Sequence, residues 1–499
     1  MLISPNYPAL EKNASKLFWA FVITYLLCWT ILPALIQPNA PLDVVEGFVW
    51  GNEMQWGYYK HPPLQAWLLQ FVTHIFGNSG FGFFGLSALT TSISLWAVYR
   101  TGRLFTTKAK ALIATMLCEG ILYFNFLSTE FNPNVLQLMT WACCAYAFAN
   151  AMLRGKTKHW IFLGMCFAIG FYAKYSIALL GLGFGLFILC QKEARHSLQS
   201  YKPYLSLIIF GALLSPHIIW LFDHHFLPFT YAISRSEAAT DMAQRLLFPF
   251  KFTLSQILDM TPMLAMAWLL MDMRQPAPQQ SGFRKKLLSL LAFAPLVLNF
   301  VLSLITGHKA LDMWGMPYLS FIPLWIVVNM PMDYSEKKLR PAAISWACVF
   351  VLALSAFYVS VMYSPQLGFK PLRGHFPGAA LSQLIHNQWQ VQNGNRNAPL
   401  TYIISDSWLG GNIALYAPDT HNRPHVFIDG DVTNSPWIDP QDVKNKGAVV
   451  IWHNREAKPT YLSDFKGKIE TAELPWQTVT QKPPTQVYWA IVKPLNDYD

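Results

Sequence analysis

Apolar runs of roughly 20 residues recur from Leu17 to Met362, each long enough to cross a hydrocarbon layer ~30 Å thick. The pattern predicts spans over 17–36, 81–99, 109–125, 134–152, 159–172, 175–190, 205–222, 251–271, 287–306, 315–330 and 342–362. The run 159–190 is interrupted only at Tyr172–Lys174, and a division there keeps the charges of the connections alternating. Between the first two spans, Val44–Gln55 and Leu64–Phe76 read as short amphipathic helices around the turn WGYYKHPP. Both are marginal for spanning and are expected to lie flat at the membrane interface. Beyond Met362 the pattern changes to strand-like runs, Tyr402–Ser405, Ala448–Trp452 and Gln486–Val492, between Pro/Gly-rich turns. The expected fold is mainly α, a polytopic membrane protein of about eleven transmembrane helices over 1–362, with 37–80 as its first outer loop. A small soluble α/β domain is expected over 363–499.

Composition agrees: 53% hydrophobic and 15% aromatic residues exclude an ordinary soluble enzyme. The net charge of +10 sits in short clusters between spans, such as Arg100, Arg103, Lys108 and Lys110. Such clusters set orientation, here with the N-terminus in the cytoplasm and the C-terminal domain outside, and need no nucleic-acid partner. The seven cysteines all lie in apolar segments without CxxC spacing, as small core residues do. The first span follows Lys12 and Lys16 and reads as an anchor rather than a cleavable signal peptide.

That orientation leaves a few cations on the outer side: Lys60, Lys174, Arg235, Arg245 and Lys309. Cations kept there against the usual bias are candidate phosphate ligands, with lipid-headgroup contact as the alternative. Asp43 and Glu46 are three residues apart and share a helix face, where a carboxylate can deprotonate an acceptor. The same spacing suits helix capping by Asp43 with Glu46 at the third position. Glu130, in the outer turn TEFNPN, is within reach of the same cleft, whereas Glu119 reads as a buried paired or protonated acid. Histidines collect on or near the outer face (His61, His217, His224, His225, His308). Asp223, His224 and His225 leave a divalent metal as an open candidate, though no two histidines have metal-ligand helical spacing. In GHKALDMWG, Trp314 beside Lys309 suits sugar stacking or interfacial anchoring equally.

The acidic first loop, GYYKHPPLQAW, FNPNVLQLMTWA, AKYS at 173–176 and DMWGMPYL together resemble the family 39 glycosyltransferases. These are the bacterial relatives of protein O-mannosyltransferases and of aminoarabinose transferases that modify lipid A. The resemblance covers roughly 17–330 and implies a GT-C fold, a polyprenyl-phosphate-linked sugar donor and an inverting transfer. By position Asp43 and Glu46 match the family's acidic pair, although not adjacent as in many members. Lys60-His61-Pro62-Pro63 stands where aminoarabinose transferases commonly have Glu-Lys-Pro-Pro, and Asn132 and Asn134 stand where Asp is frequent. Outer-face position and the resemblance together make Lys60, His61, Lys174, Tyr175, Arg235, Lys309 and Trp314 the candidate donor phosphate- and sugar-binding residues. The expected acceptor is lipid A, lipopolysaccharide or another envelope glycolipid, at the periplasmic face of the bacterial inner membrane, with a monomer acting in the bilayer. A protein acceptor and a non-catalytic lipid-linked sugar transporter are the alternatives. A transporter is expected to show repeated halves or midplane ion sites, and no duplicated half is present in the sequence.

Overall fold

A computed structural model describes residues 7–276, 282–363, 366–392, 398–453, 459–463, 465–478 and 482–495. The chain opens with α1 (Pro8–Ile36), α2 (Leu42–Gly51), α3 (Leu64–Phe76), α4 (Gly80–Phe105) and α5 (Lys108–Leu117). There follow α6 (Pro133–Arg154), α7 (Thr157–Ala173), α8 (Ile177–Cys190), the short α9 (Lys192–Arg195), α10 (Lys202–Asp223) and α11 (Leu227–Arg235). The helical part closes with α12 (Met242–Asp259), α13 (Thr261–Leu270), α14 (Gly282–Thr306), α15 (Ile322–Asn329) and α16 (Glu336–Tyr363). Among the described residues six helices, α1, α4, α6, α10, α14 and α16, are long and apolar enough to cross a membrane. On α1, Trp19, Ile23 and Leu27 are exposed, as are Ile344, Val351 and Leu352 on α16, which is how a lipid-facing helix distributes its side chains. By contrast, α4 and α6 are mostly buried inside the bundle.

Several of the eleven expected spans are short or broken helices. α7 and α8 have 17 and 14 residues. The expected span 109–125 is α5 followed by three 3-10 turns between Cys118 and Ser128. There Asn125 Nδ2 donates to Glu119 O at 2.6 Å, so a side chain takes a carbonyl that a continuing helix would use. The expected span 251–271 divides into α12 and α13, because Pro262 in the first turn of α13 has no N–H to continue the ladder. The expected span 315–330 starts within a 3-10 stretch, Asp312–Leu319, containing Pro317, and becomes α-helical only at α15, which has Pro323 in its first turn. Hydropathy reads through such breaks; the hydrogen-bond ladder does not.

The C-terminal part contains α17 (Gly378–Gln392), β1 (Tyr402–Ser405), α18 (Leu409–Leu415), β2 (His425–Ile428) and α19 (Pro440–Lys446). It ends with β3 (Ala448–Trp452), β4 (Glu470–Leu474) and β5 (Thr485–Val492). The sheet order is β2-β1-β3-β5-β4. β1 runs parallel to both neighbours, with Ile403 paired to Val426 and Val449, while β5 is antiparallel to β3 and β4. β3 is buried along its whole length, which explains why AVVIW is continuously apolar rather than alternating. Leu381, Ile385, Trp389 and Ile413 pack on one face of the sheet, and Ile438, Val443 and Leu462 on the other.

α3 has the expected ends and keeps Phe71, Ile75 and Phe76 exposed, as an interfacial helix would. α2 differs from expectation. It stops at Gly51, and Val44–Gly51 is buried because α3 and α18 both pack on it. A Cβ at Gly411 of α18 would lie 2.5 Å from Val45 Cγ1, so this approach depends on glycine. α2 is therefore held between protein elements and does not lie on lipid. Its N-cap is Pro41 with no side-chain cap, so the expected capping role of Asp43 is not realised and its carboxylate is left for other work.

Candidate active site

The first-loop acids meet the other site residues at one end of the bundle. The Asp43 backbone N–H donates to Glu130 Oε1 at 2.8 Å, and Gln65 Nε2 donates to Asp43 O at 2.8 Å. The Asp43 carboxylate itself makes no hydrogen bond among the described residues. Burial first, then the charge of Glu130, then that of Glu46 push its pKa up to about 7, against the opposing pull of Arg373 and Lys60. Burial likewise raises the Glu130 carboxyl, partly offset by the Asp43 N–H and by Arg373.

Glu46 is fixed differently. Its Oε1 accepts from Lys60 Nζ at 2.6 Å and from Ser407 Oγ at 2.9 Å. Burial opposes the charge on Lys60, yet the Coulombic attraction of Glu46 and its hydrogen bond outweigh this and raise the Lys60 pKa. The ammonium also lies 5.2 Å from the Tyr59 ring centroid and 5.5 Å from that of Tyr231. Expected as a phosphate ligand, Lys60 is here first a partner of Glu46.

Lys174 follows the C-terminal end of α7, where the backbone leaves the helix. Its ammonium donates to Asn134 Oδ1 and lies 5.3 Å from the Trp314 ring centroid. Asn132 caps α6 through Asn134 N and Val135 N, with Pro133 behind it, and so places Asn134. Burial depresses the Lys174 pKa to about 7, with Asp43 opposing. His61 is driven down to about 3 by burial, Lys174 and Lys60 in that order, so it is a neutral ring beside two cations. The His61 ring packs between Trp50 and Tyr231. Tyr175 OH lies 3.0 Å from His217 Nε2, while His217 Nδ1 meets Trp56 O at 2.6 Å, which fixes both rings.

Other expected residues are engaged elsewhere. Lys309 pairs with Glu237 at 3.0 Å on the surface, where 236–239 and 307–309 run together, and Arg235 is exposed at the end of α11. Arg245 donates to Leu304 O and Ile305 O, the last carbonyls of α14, and is a helix cap rather than an open cation. Trp314 joins Lys174, not Lys309. Asp223 is exposed, and His224 stacks on Trp220 at 4.2 Å with its Nδ1 on the Trp220 carbonyl. Among the described residues no three His, Cys, Asp or Glu side chains come together as a metal-holding group.

Sequence reasoning missed Ser407 and Arg373, which reach the acids from the C-terminal part. Nothing local marks either residue. Asn134 was visible in the FNPN turn, without its bond to Lys174.

A helical bundle with short first-loop helices, an acid–cation cluster at one end and an α/β unit beside it is a fold shared with solved ArnT structures. ArnT from Cupriavidus metallidurans bound to undecaprenyl phosphate superposes with a TM-score of 0.61 at 14% identity, covering 95% of this chain and 97% of that one. Its apo form gives 0.60 at 12% identity, covering 96% and 99%. Residues 60–220 match the family model described as dolichyl-phosphate-mannose-protein mannosyltransferase. The chain is also 20% identical over 468 residues to the lipopolysaccharide core galacturonosyltransferase RgtA of Rhizobium johnstonii, covering 89% of this chain and 87% of the relative. The chain thus shares the fold of ArnT, and its sequence resembles glycosyltransferases over 60–220 and, more distantly, along most of its length.

Proposed function

We propose that the protein transfers a sugar from a polyprenyl-phosphate donor to lipopolysaccharide or another envelope glycolipid, with inversion at the anomeric carbon, at the periplasmic face of the bacterial inner membrane. The likeness to RgtA and ArnT supports the substrate classes. The observation that carries the reading is the contrast between the two first-loop acids. Glu46 is bound by two donors, whereas Asp43 presents a carboxylate without donors among the described residues and a pKa near 7. That value suits a general base at neutral pH.

Asp43 takes the proton from the acceptor hydroxyl as its oxygen bonds to the anomeric carbon. The bond from that carbon to the phosphate oxygen breaks, and its electron pair leaves with the polyprenyl phosphate. Lys174 faces the charge that grows on this phosphate, and Trp314 beneath the ammonium offers a ring for the sugar. His61, kept neutral beside two cations, is able to donate a hydrogen bond to the donor without adding charge. A base contributes on the order of 10²–10⁴ in rate, and preorganised charge in a dry cleft contributes more. The gathering of ionisable groups at one end of the bundle supports transfer over transport, for which midplane sites are the rule.

The test is mass spectrometry of lipopolysaccharide and total envelope glycolipid from a deletion strain rescued by wild type or by Asp43→Asn with Glu46→Gln. Loss of one sugar increment, restored by wild type alone, supports the proposal. Full restoration by the double variant contradicts it, and an increment lost from glycoproteins instead moves the acceptor to protein.

A further inference from the structure

The C-terminal α/β unit enters the site through Ser407. Its Oγ donates at 2.9 Å to the same Glu46 oxygen that Lys60 holds at 2.6 Å. With both donors on Oε1, Oε2 accepts no hydrogen bond among the described residues and is the oxygen left for a reactant. The contact spans 361 positions of sequence, yet it is not a chance touch between loops. Asp406 Oδ1 accepts from the N–H groups of Trp408 and Leu409, each at 2.8 Å, and this fixes the turn that carries Ser407 into α18. α18 in turn packs on α2, the helix of Glu46, at the close Gly411–Val45 approach. Further along the same seam, Ala40 N donates to Tyr416 OH at 2.9 Å and Asn39 N donates to Gly374 O at 3.0 Å.

We propose that Ser407 is a positioning residue: by holding Oε1 it turns Oε2 of Glu46 toward the transferring sugar and its acceptor. The C-terminal unit is thus part of the transfer site. This rests on the reading that the first-loop acidic pair, Glu46 beside the base Asp43, acts in the proposed transfer. A hydrogen bond to an ionised group, held by packed elements on both sides, fixes orientation in a way that side-chain entropy would otherwise blur.

The experiment uses the full-length protein in membranes of the deletion strain. The donor probe is the polyprenyl-phosphate lipid extract of the wild-type strain, and the acceptor is the deletion strain's own lipopolysaccharide. Transfer is followed by mass increment for Ser407→Ala, Ser407→Thr, Glu46→Gln and the Glu46→Gln/Ser407→Ala pair. Ser407→Ala is expected to lower kcat by about 10- to 100-fold with KM for lipopolysaccharide little changed. The hydroxyl of Ser407→Thr restores most of the rate, and Ser407→Ala has no further effect once Glu46 is Gln. An unchanged rate in Ser407→Ala, with Glu46→Gln slow, overturns the positioning role alone. Equal losses in the Ala and Thr variants with a lowered melting temperature also overturn it, as a packing effect. A Glu46→Gln protein as fast as wild type removes instead the role of Glu46 on which the proposal stands.

Discussion

Asp43 and Glu130 are joined head to side: the backbone N–H of Asp43 donates to Glu130 Oε1 at 2.8 Å, so the Glu130 charge sits beside the Asp43 carboxyl and helps raise its pKa. Glu130→Gln keeps an acceptor for that N–H and removes the charge. The acid limb of the kcat/KM–pH profile should then move from near 7 to lower pH, by up to about one unit. A profile that stays in place rules out Glu130 as a source of the shift.

Lys174 gives a second reading of the same electrostatics. With its pKa depressed to about 7, the ammonium is partly deprotonated at pH 7.5 until an anion arrives. Under the proposed function, an added polyprenyl phosphate binds beside this ammonium, raises that pKa and draws in a proton. Calorimetry at pH 7.5 in buffers of different ionisation enthalpy should show proton uptake in wild type and none from this group in Lys174→Met. Equal uptake in the two proteins contradicts the assignment.

These residues differ in how visible they were beforehand. Asp43, Glu46, Lys60 and Lys174 interrupt apolar sequence, and an ionisable group beside a membrane span is itself a signal. The breaks at Pro262, Pro317 and Pro323 were written in the sequence, but hydropathy counts carbon and misses a lost N–H. α2 read as an interfacial helix because its covering, α18, lies over 360 residues away, and no local pattern announces that contact. For the same reason Ser407 and Arg373 were silent: a serine and an arginine in a soluble segment look like surface until the fold sets them beside the acids.

The α2–α18 contact should be intolerant of volume. Gly411→Leu forces a side chain into the space of Val45 and Val49 and should cost about 1–3 kcal/mol, read as a lowered melting temperature. Because α2 carries both acids, transfer should fall with it. A wild-type melting temperature means that the two helices separate more easily than their packing implies.

His425 of β2 lies 2.8 Å from Glu53 beyond α2, and this hydrogen bond first of all raises the His425 pKa above its ordinary 6.5 despite burial. Its contribution is complete below 6.5 and is lost as pH rises through the higher folded value. The melting temperature of wild type should therefore fall more than that of His425→Gln between pH 6 and pH 8. Parallel curves contradict the linkage.

The central claim is base-assisted transfer by Asp43, and single-turnover transfer tests it most directly. The purified protein in nanodiscs is mixed with the wild-type polyprenyl-phosphate lipid extract and the deletion strain's lipopolysaccharide. Free polyprenyl phosphate and the acceptor's mass increment are measured together. Wild type should produce the two in equal amounts, and Asp43→Asn should slow both by about 10²–10⁴ without changing the melting temperature beyond error. Equal rates in wild type and Asp43→Asn, or no free polyprenyl phosphate from wild type, would contradict the account.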